Sequence, residues 1–265
     1  AAGIPMDVPA LTINKVCLSG IDAIALADQL IRAGEFDIVV AGGQESMTQA
    51  PAPAGEVAGG FKFGDVTMQD HMSYDGLFCA FDQVAMGAST EKYNARYELS
   101  RDDQDQFAAR SHQRAAKATM DGVFAEEIAP VEIPQRKGDP VLFSTDEASA
   151  PRPPPRASAS CVPRSPPTAP SPPAPPRRSP TRRCRGGHEQ GEGRGARTDW
   201  LAEIGAHGVV AGPDASLHEQ PANAIAKACE KEGIAPFDLD LVEINEAFAA
   251  VGVVSARKLG LSDDK

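Results

Sequence analysis

The chain has 265 residues, of which 42% are hydrophobic and 24% charged, values that suit one large globular domain or two ordinary ones. A net charge of −11 argues against a general nucleic-acid binder, and no apolar run approaches the roughly 18 residues a membrane-spanning helix needs. The cysteines Cys17, Cys79, Cys161, Cys184 and Cys229 are odd in number and show no CxxC spacing. That argues against a disulfide framework or a zinc site and makes a reducing cytoplasm the default location. The opening AAGIPMDVPA has neither the basic nor the long apolar region of a signal peptide, and without an initiator Met the chain is expected to be a fragment.

In chain order, residues 1–47 read as a βαβ unit. Ala10–Val16 has strand character, Cys17 to Gly20 form a turn, and Ile21–Ala33 is an Ala-rich helix. Gly34 is its natural stop. The apolar run Phe36–Ala41 reads as a parallel strand buried on both faces. Residues 48–147 read as an inserted cap. They are Gly-rich and irregular up to Gly64, then helical over Phe81–Tyr97. Ser100 to Asp103 start an amphipathic helix that continues over Gln104–Met120, followed by a strand at Ile128–Ile133 and a polar turn at Gln135–Asp139. Residues 200–265 repeat the first pattern: an extended Leu201–Val210, then a helix over Gln220–Lys231 with Ala222, Ile225, Ala226 and Cys229 on one face. A strand over Leu239–Ile244 follows, and Asn245 to Phe248 open a helix that ends near Gly260. The echo suggests two related halves.

Residues 148–199 stand apart. Thirteen of the chain's 23 prolines lie between Pro151 and Pro180, and ten arginines lie between Arg152 and Arg197, opposed only by Glu189 and Glu192. Over residues 148–197 Val162 is the one large aliphatic residue, so the stretch is expected to be disordered, with polyproline II character. It reads as a ligand for proline-binding modules, as a flexible linker, or, fitting best, as an out-of-frame translation of GC-rich DNA.

The chemistry falls at two strand-to-helix junctions. A thiolate at Cys17 would be favoured by the N–H groups and positive dipole end of the following helix, and could carry an acyl group; the bland alternative is a small packed cysteine. Asn245 could orient a water or a substrate carbonyl, or simply cap the next helix, the commoner role on spacing alone. Glu246 could orient Asn245 or complement the helix dipole. Of the five histidines, His112 reads as surface, His207 as a turn residue, and none of the five pairs with Cys17 by spacing. The pairs Gly42–Gly43 and Gly59–Gly60 lack the spacing of a nucleotide-binding loop.

Taken together, NKVCLSG (Asn14–Gly20), AGGQESMT (Ala41–Thr48) and VEINEAFA (Val242–Ala249) resemble the thiolases, acetyl-CoA C-acyltransferases. YDGLFCAF (Tyr74–Phe81), Met86–Gly87, the SRDDQDQFAARSHQ helix, IPQRKGD (Ile133–Asp139) and HGVVAGPD (His207–Asp214) extend the likeness. The resemblance covers Ala1–Glu147 and about Trp200–Lys265. It implies an α/β fold of two similar βαβ halves in a layered αβαβα arrangement with residues 48–147 as a cap. It implies ping-pong interconversion of 3-ketoacyl-CoA plus CoA with acyl-CoA plus acetyl-CoA, in the cytoplasm, by a homodimer or homotetramer. Coenzyme A would be a substrate, with no cofactor, metal, nucleic acid or membrane involved. Cys17 then matches the acyl-accepting nucleophile, and Asn245 the asparagine that holds a catalytic water in an oxyanion hole. Leu77, Met86, Ala247 and Phe248 fall at positions that line the CoA and acyl pocket. Ala85 stands where the family often has His, which points to a different substrate preference.

The family also continues to a Gly-His-Pro motif and a Cys-x-Gly segment, which supply the base and a second cysteine. The stretch of the family that carries these two motifs has no counterpart in these 265 residues, so the resemblance implies an acyl carrier with little turnover by itself. Two other readings remain at this point. A ketoacyl synthase would share the nucleophile but not the NEAF motif. A degenerate thiolase would bind lipid, CoA or a partner without catalysis.

Overall fold

The computed structural model describes residues 3–46, 49–50, 68–146 and 201–262. The chain divides into two compact units, one from Ala1–Met72 with Thr181–Gly205 and one from Ser73–Pro180 with Ala206–Lys265. The Pro/Arg-rich stretch and the Gly-rich run up to Gly64 lie outside the described residues.

In the first unit the dominant element is α1, Ser19–Arg32. Its Ala-rich sequence favours a helix, and Asp22 in the first turn and Arg32 in the last both complement the dipole. Gly34, at φ +77°, ends it as expected. Gly34 N–H donates to the Ile31 carbonyl and Glu35 N–H to that of Leu30, the paired closure of a Schellman motif. Arg32 grips both carboxylate oxygens of Asp28 through Nε and donates to the Ile204 carbonyl at 3.0 Å.

The two strands expected beside this helix do not form. Ala10–Val16 has only an isolated bridge between Lys15 and Cys17, and Phe36–Ala41 forms no ladder. Phe36, Ile38 and Val40 are exposed, which corrects the reading of a doubly buried strand. A parallel strand exists only by pairing with neighbours, and the described residues supply none to either segment.

The second unit begins with a hairpin, β1 (Phe78–Cys79) against β2 (Val84–Ala85). The helix α2, Met86–Asn94, follows directly and runs into a 3₁₀ turn at Ala95–Tyr97. The single helix expected over Phe81–Tyr97 is thus a turn, a strand and a helix. Next comes α3, Arg101–Met120, which starts where the sequence indicates: Ser100 and Asp103 form a reciprocal capping box. A second antiparallel hairpin pairs β3 (Val131–Ile133) with β4 (Val141–Phe143) around the polar turn at Gln135–Asp139. The helices α4, Gln220–Glu232, and α5, Ala249–Leu259, close the unit. Gly233 and Gly260 end them with the same carbonyl closure as Gly34.

Leu201–Val210 and Leu239–Ile244 are also extended rather than laddered. From Ala206 onward the first of these runs along α4 instead. Lys227 Nζ donates to the Val209 carbonyl at 2.9 Å and Lys231 Nζ to that of His207 at 2.6 Å. Gly208 permits this approach: a Cβ there would lie 1.8 Å from the Ala224 carbonyl oxygen. Of the face expected on α4, Ala222 and Cys229 are buried and Ile225 partly so, while Ala226 points to solvent. The apolar core of the unit joins Phe248, Ala250 and Val251 to Met86, Leu99, Leu217 and Ala247.

Candidate functional site

Cys17 is exposed, two residues before the first residue of α1. The backbone around it is tightly held. Asn14 Oδ1 accepts from Val16 N–H at 2.9 Å, and the Ser19 hydroxyl accepts from Lys15 N–H and donates to the Val16 carbonyl, both at 2.8 Å. Lys15 Nζ reaches Asp22 at 2.8 Å. These bonds hold Val16 at φ +50°, a conformation that a β-branched residue rarely adopts. The thiol therefore sits on a fixed, sharply turned segment beside the positive end of a 14-residue helix. The packed-cysteine alternative does not hold, since Cys79 and Cys229 are the buried ones.

Asn245 lies in the second unit, in the short loop before α5, and is exposed. Its carbonyl accepts from Ala247 N–H at 2.9 Å, which makes a tight turn. It does not cap the helix: the N-cap position is Phe248. Its neighbour Glu246 accepts a 2.6 Å hydrogen bond from the Ser111 hydroxyl on α3. Ser111 had no signal in the sequence, because only the α3–α5 packing brings it to that loop.

The four residues placed on the acyl and CoA pocket come together in this unit. Met86 and Ala247 pack against buried Phe248, and Met86 N–H donates to the Leu77 carbonyl at 2.8 Å, which extends the β1–β2 hairpin by one pair. The Leu77 side chain is exposed.

A buried polar cluster holds α2 in place behind Met86. His218 has no exposed surface. Its Nε2 lies 2.8 Å from Asn94 Oδ1 and its Nδ1 lies 3.2 Å from the Ser216 hydroxyl, which is in turn 3.3 Å from the Tyr97 hydroxyl. Tyr97 stacks on the imidazole at 4.8 Å between ring centres, and Ser255 donates to the His218 carbonyl. An acceptor at Nε2 and a hydroxyl at Nδ1 suit a neutral ring with its proton on Nε2. Burial, reinforced by the nearby Arg96 guanidinium, pushes the imidazole down to about 4. This role has no signature in the sequence, since a lone His in a polar loop is usually exposed. His71 and His112 are exposed, His207 is half-buried in the segment along α4, and His188 lies outside the described residues.

Among the described residues no group of His, Cys, Asp or Glu is arranged to hold a metal ion. No described helix is long and apolar enough to cross a membrane.

Two family models match the chain: the thiolase N-terminal domain over residues 1–154 and the thiolase C-terminal domain over residues 198–265. A probable acetyl-CoA acetyltransferase of Mycobacterium leprae is 54% identical over the whole chain, which spans 67% of that protein's length. One of the same name from Mycobacterium tuberculosis is 55% identical over 99% of the chain and 67% of its own length. The acetyl-CoA acetyltransferase of Thiocystis violacea is 40% identical over 98% of the chain and 66% of its own length. The chain belongs to the thiolase family, and its fold is of the thiolase-like α/β class.

Proposed function

We propose that this chain carries thiolase-type acyl transfer between CoA thioesters, with Cys17 as the acyl-accepting nucleophile. The observation that carries the reading is an exposed thiol on a strained, hydrogen-bonded turn at the start of a helix, in a chain of the thiolase family. In the cleavage direction the Cys17 thiolate attacks the 3-keto carbon of a 3-ketoacyl-CoA. The bond between C2 and C3 breaks, the acyl group stays on sulfur, and the electron pair leaves as the enolate of acetyl-CoA. That enolate oxygen is the charge to be stabilised, and a water held by Asn245 supplies the donor. A proton from solvent at C2 releases acetyl-CoA. A CoA thiol, giving its proton up to solvent, then takes the acyl group and regenerates the Cys17 thiolate.

Leu77, Met86, Ala247 and Phe248 line the acyl and pantetheine path in this reading. The packing of Met86, Ala247 and Phe248 in one cluster, and the backbone pairing of Leu77 with Met86, support it. The domain division at 1–47, 48–147, 148–199 and 200–265, the layered αβαβα arrangement of the two halves, a homodimer or homotetramer as the working assembly, and a cytoplasmic location belong to the same proposal.

The test is protection of Cys17 from alkylation. Peptide mapping of iodoacetamide-treated protein is expected to show Cys17 modified well ahead of the buried Cys79 and Cys229. Acetoacetyl-CoA is expected to slow the Cys17 reaction at least about tenfold, while acetate has no effect. Equal alkylation of Cys17 with and without the thioester contradicts the assignment.

A further inference from the structure

Three contacts that α3 makes with α5 and the loop before it start from evenly spaced residues on α3. Asp103 Oδ1 accepts from Arg257 at 2.7 Å, the Phe107 ring lies against Gly252, and the Ser111 hydroxyl donates to Glu246 at 2.6 Å. Residues 103, 107 and 111 are four apart and so form one stripe along α3. Their partners descend from 257 through 252 to 246, so the two helices run antiparallel. The middle contact leaves no slack: a Cβ on Gly252 would come within 2.3 Å of the Phe107 ring. The first rung fixes the far end of α5, the second its sliding position, and the third the loop that enters it.

That loop carries Asn245. Glu246 is the adjacent residue, and Asn245 is itself folded into a tight turn by the Ala247 N–H bond. The Ser111 hydrogen bond to the Glu246 carboxylate therefore anchors the loop one residue from Asn245. We propose that Ser111 is a positioning residue for Asn245, acting through Glu246, with α3 serving as the ruler that holds the asparagine in register. The inference rests on the proposed role of Asn245 as the holder of the oxyanion water.

The prediction separates two routes to the same acyl-enzyme. Acetyl-Cys17 formed from acetoacetyl-CoA requires an enolate to leave, whereas acetyl-Cys17 formed from acetyl-CoA does not. In single-turnover experiments read by mass spectrometry, Ser111→Ala is expected to slow the first route about tenfold and leave the second unchanged. Ser111→Thr, which keeps the hydroxyl, is expected to restore most of the loss. Asn245→Ala is expected to lower the same ratio, and adding Ser111→Ala to it should cost nothing further, as for residues acting on one step.

If Asn245→Ala leaves the ratio untouched, the catalytic reading of Asn245 fails. If Asn245→Ala lowers it but Ser111→Ala does not, or if both routes slow together, the positioning role of Ser111 fails. Backbone amide exchange over Asn245–Phe248 needs no turnover. It is expected to quicken about tenfold in Ser111→Ala with α4 unchanged, and parental exchange there overturns the proposal as well.

Discussion

His218 is a titratable side chain held without any contact with water, and its consequences can be worked out from that alone. Burial holds its imidazole near about 4, while an unfolded histidine titrates near about 6.5. Between these values the unfolded chain binds a proton that the fold refuses. Stability therefore rises with pH through this window and is lost as pH falls from about 6.5 toward 4, by about 3 kcal/mol for the full shift. The groups facing it act in known directions: Arg96 pushes it further down, while Asp214 and Glu219 pull it up. Asp82, Asp103 and Asp214 are themselves held below the usual carboxylate range, chiefly by hydrogen bonds from Lys92, from the Ser100 hydroxyl and from the Ser216 backbone, respectively. Their contribution is present above about 3.9 and is lost only as pH falls further, so it leaves the upper part of the window to histidine. Urea midpoints measured from pH 5 to 7 are expected to climb in the parent and to flatten in His218→Gln. An equal slope in both would show that His218 is not the titrating group.

At the scale of elements, what was legible in the sequence was local. The start of α3 could be read from Ser100 and Asp103, and the ends of α1 and α5 from Gly34 and Gly260, because caps and closures involve residues within one turn of each other. Ser100→Ala is expected to lower stability by about 1 kcal/mol, seen as a lower urea midpoint with an unchanged slope. Of the expected strands, the one at Ile128–Ile133 forms as β3 over Val131–Ile133; the others were not recovered, because a run such as Phe36–Ala41 needs partners that sequence spacing does not name. The same gap hid the close passage of Gly208 over α4, where Gly208 meets the Ala224 carbonyl. Gly208→Ala is expected to cost about 2 kcal/mol or more, since a backbone carbonyl cannot swing aside as a side chain can. A thermal midpoint equal to that of the parent would show that the segment packs otherwise.

For the whole molecule, the chemistry was easier to read than the framework that aims it. Cys17 and Asn245 could be proposed from the sequence because each sits in a short motif whose residue types suit the task. Ser111, His218 and Asn94 could not, since each makes a hydrogen bond to a residue more than a hundred positions away. Cys17 as the carrier of the acyl group is tested by the adduct itself. Protein incubated with isotopically labelled acetyl-CoA and digested at low pH is expected to carry the label on the Cys17 peptide. Free CoA should remove that label, and Cys17→Ser should never acquire it. Label spread over Cys79 and Cys229, or label at Cys17 that CoA cannot remove, would contradict the account.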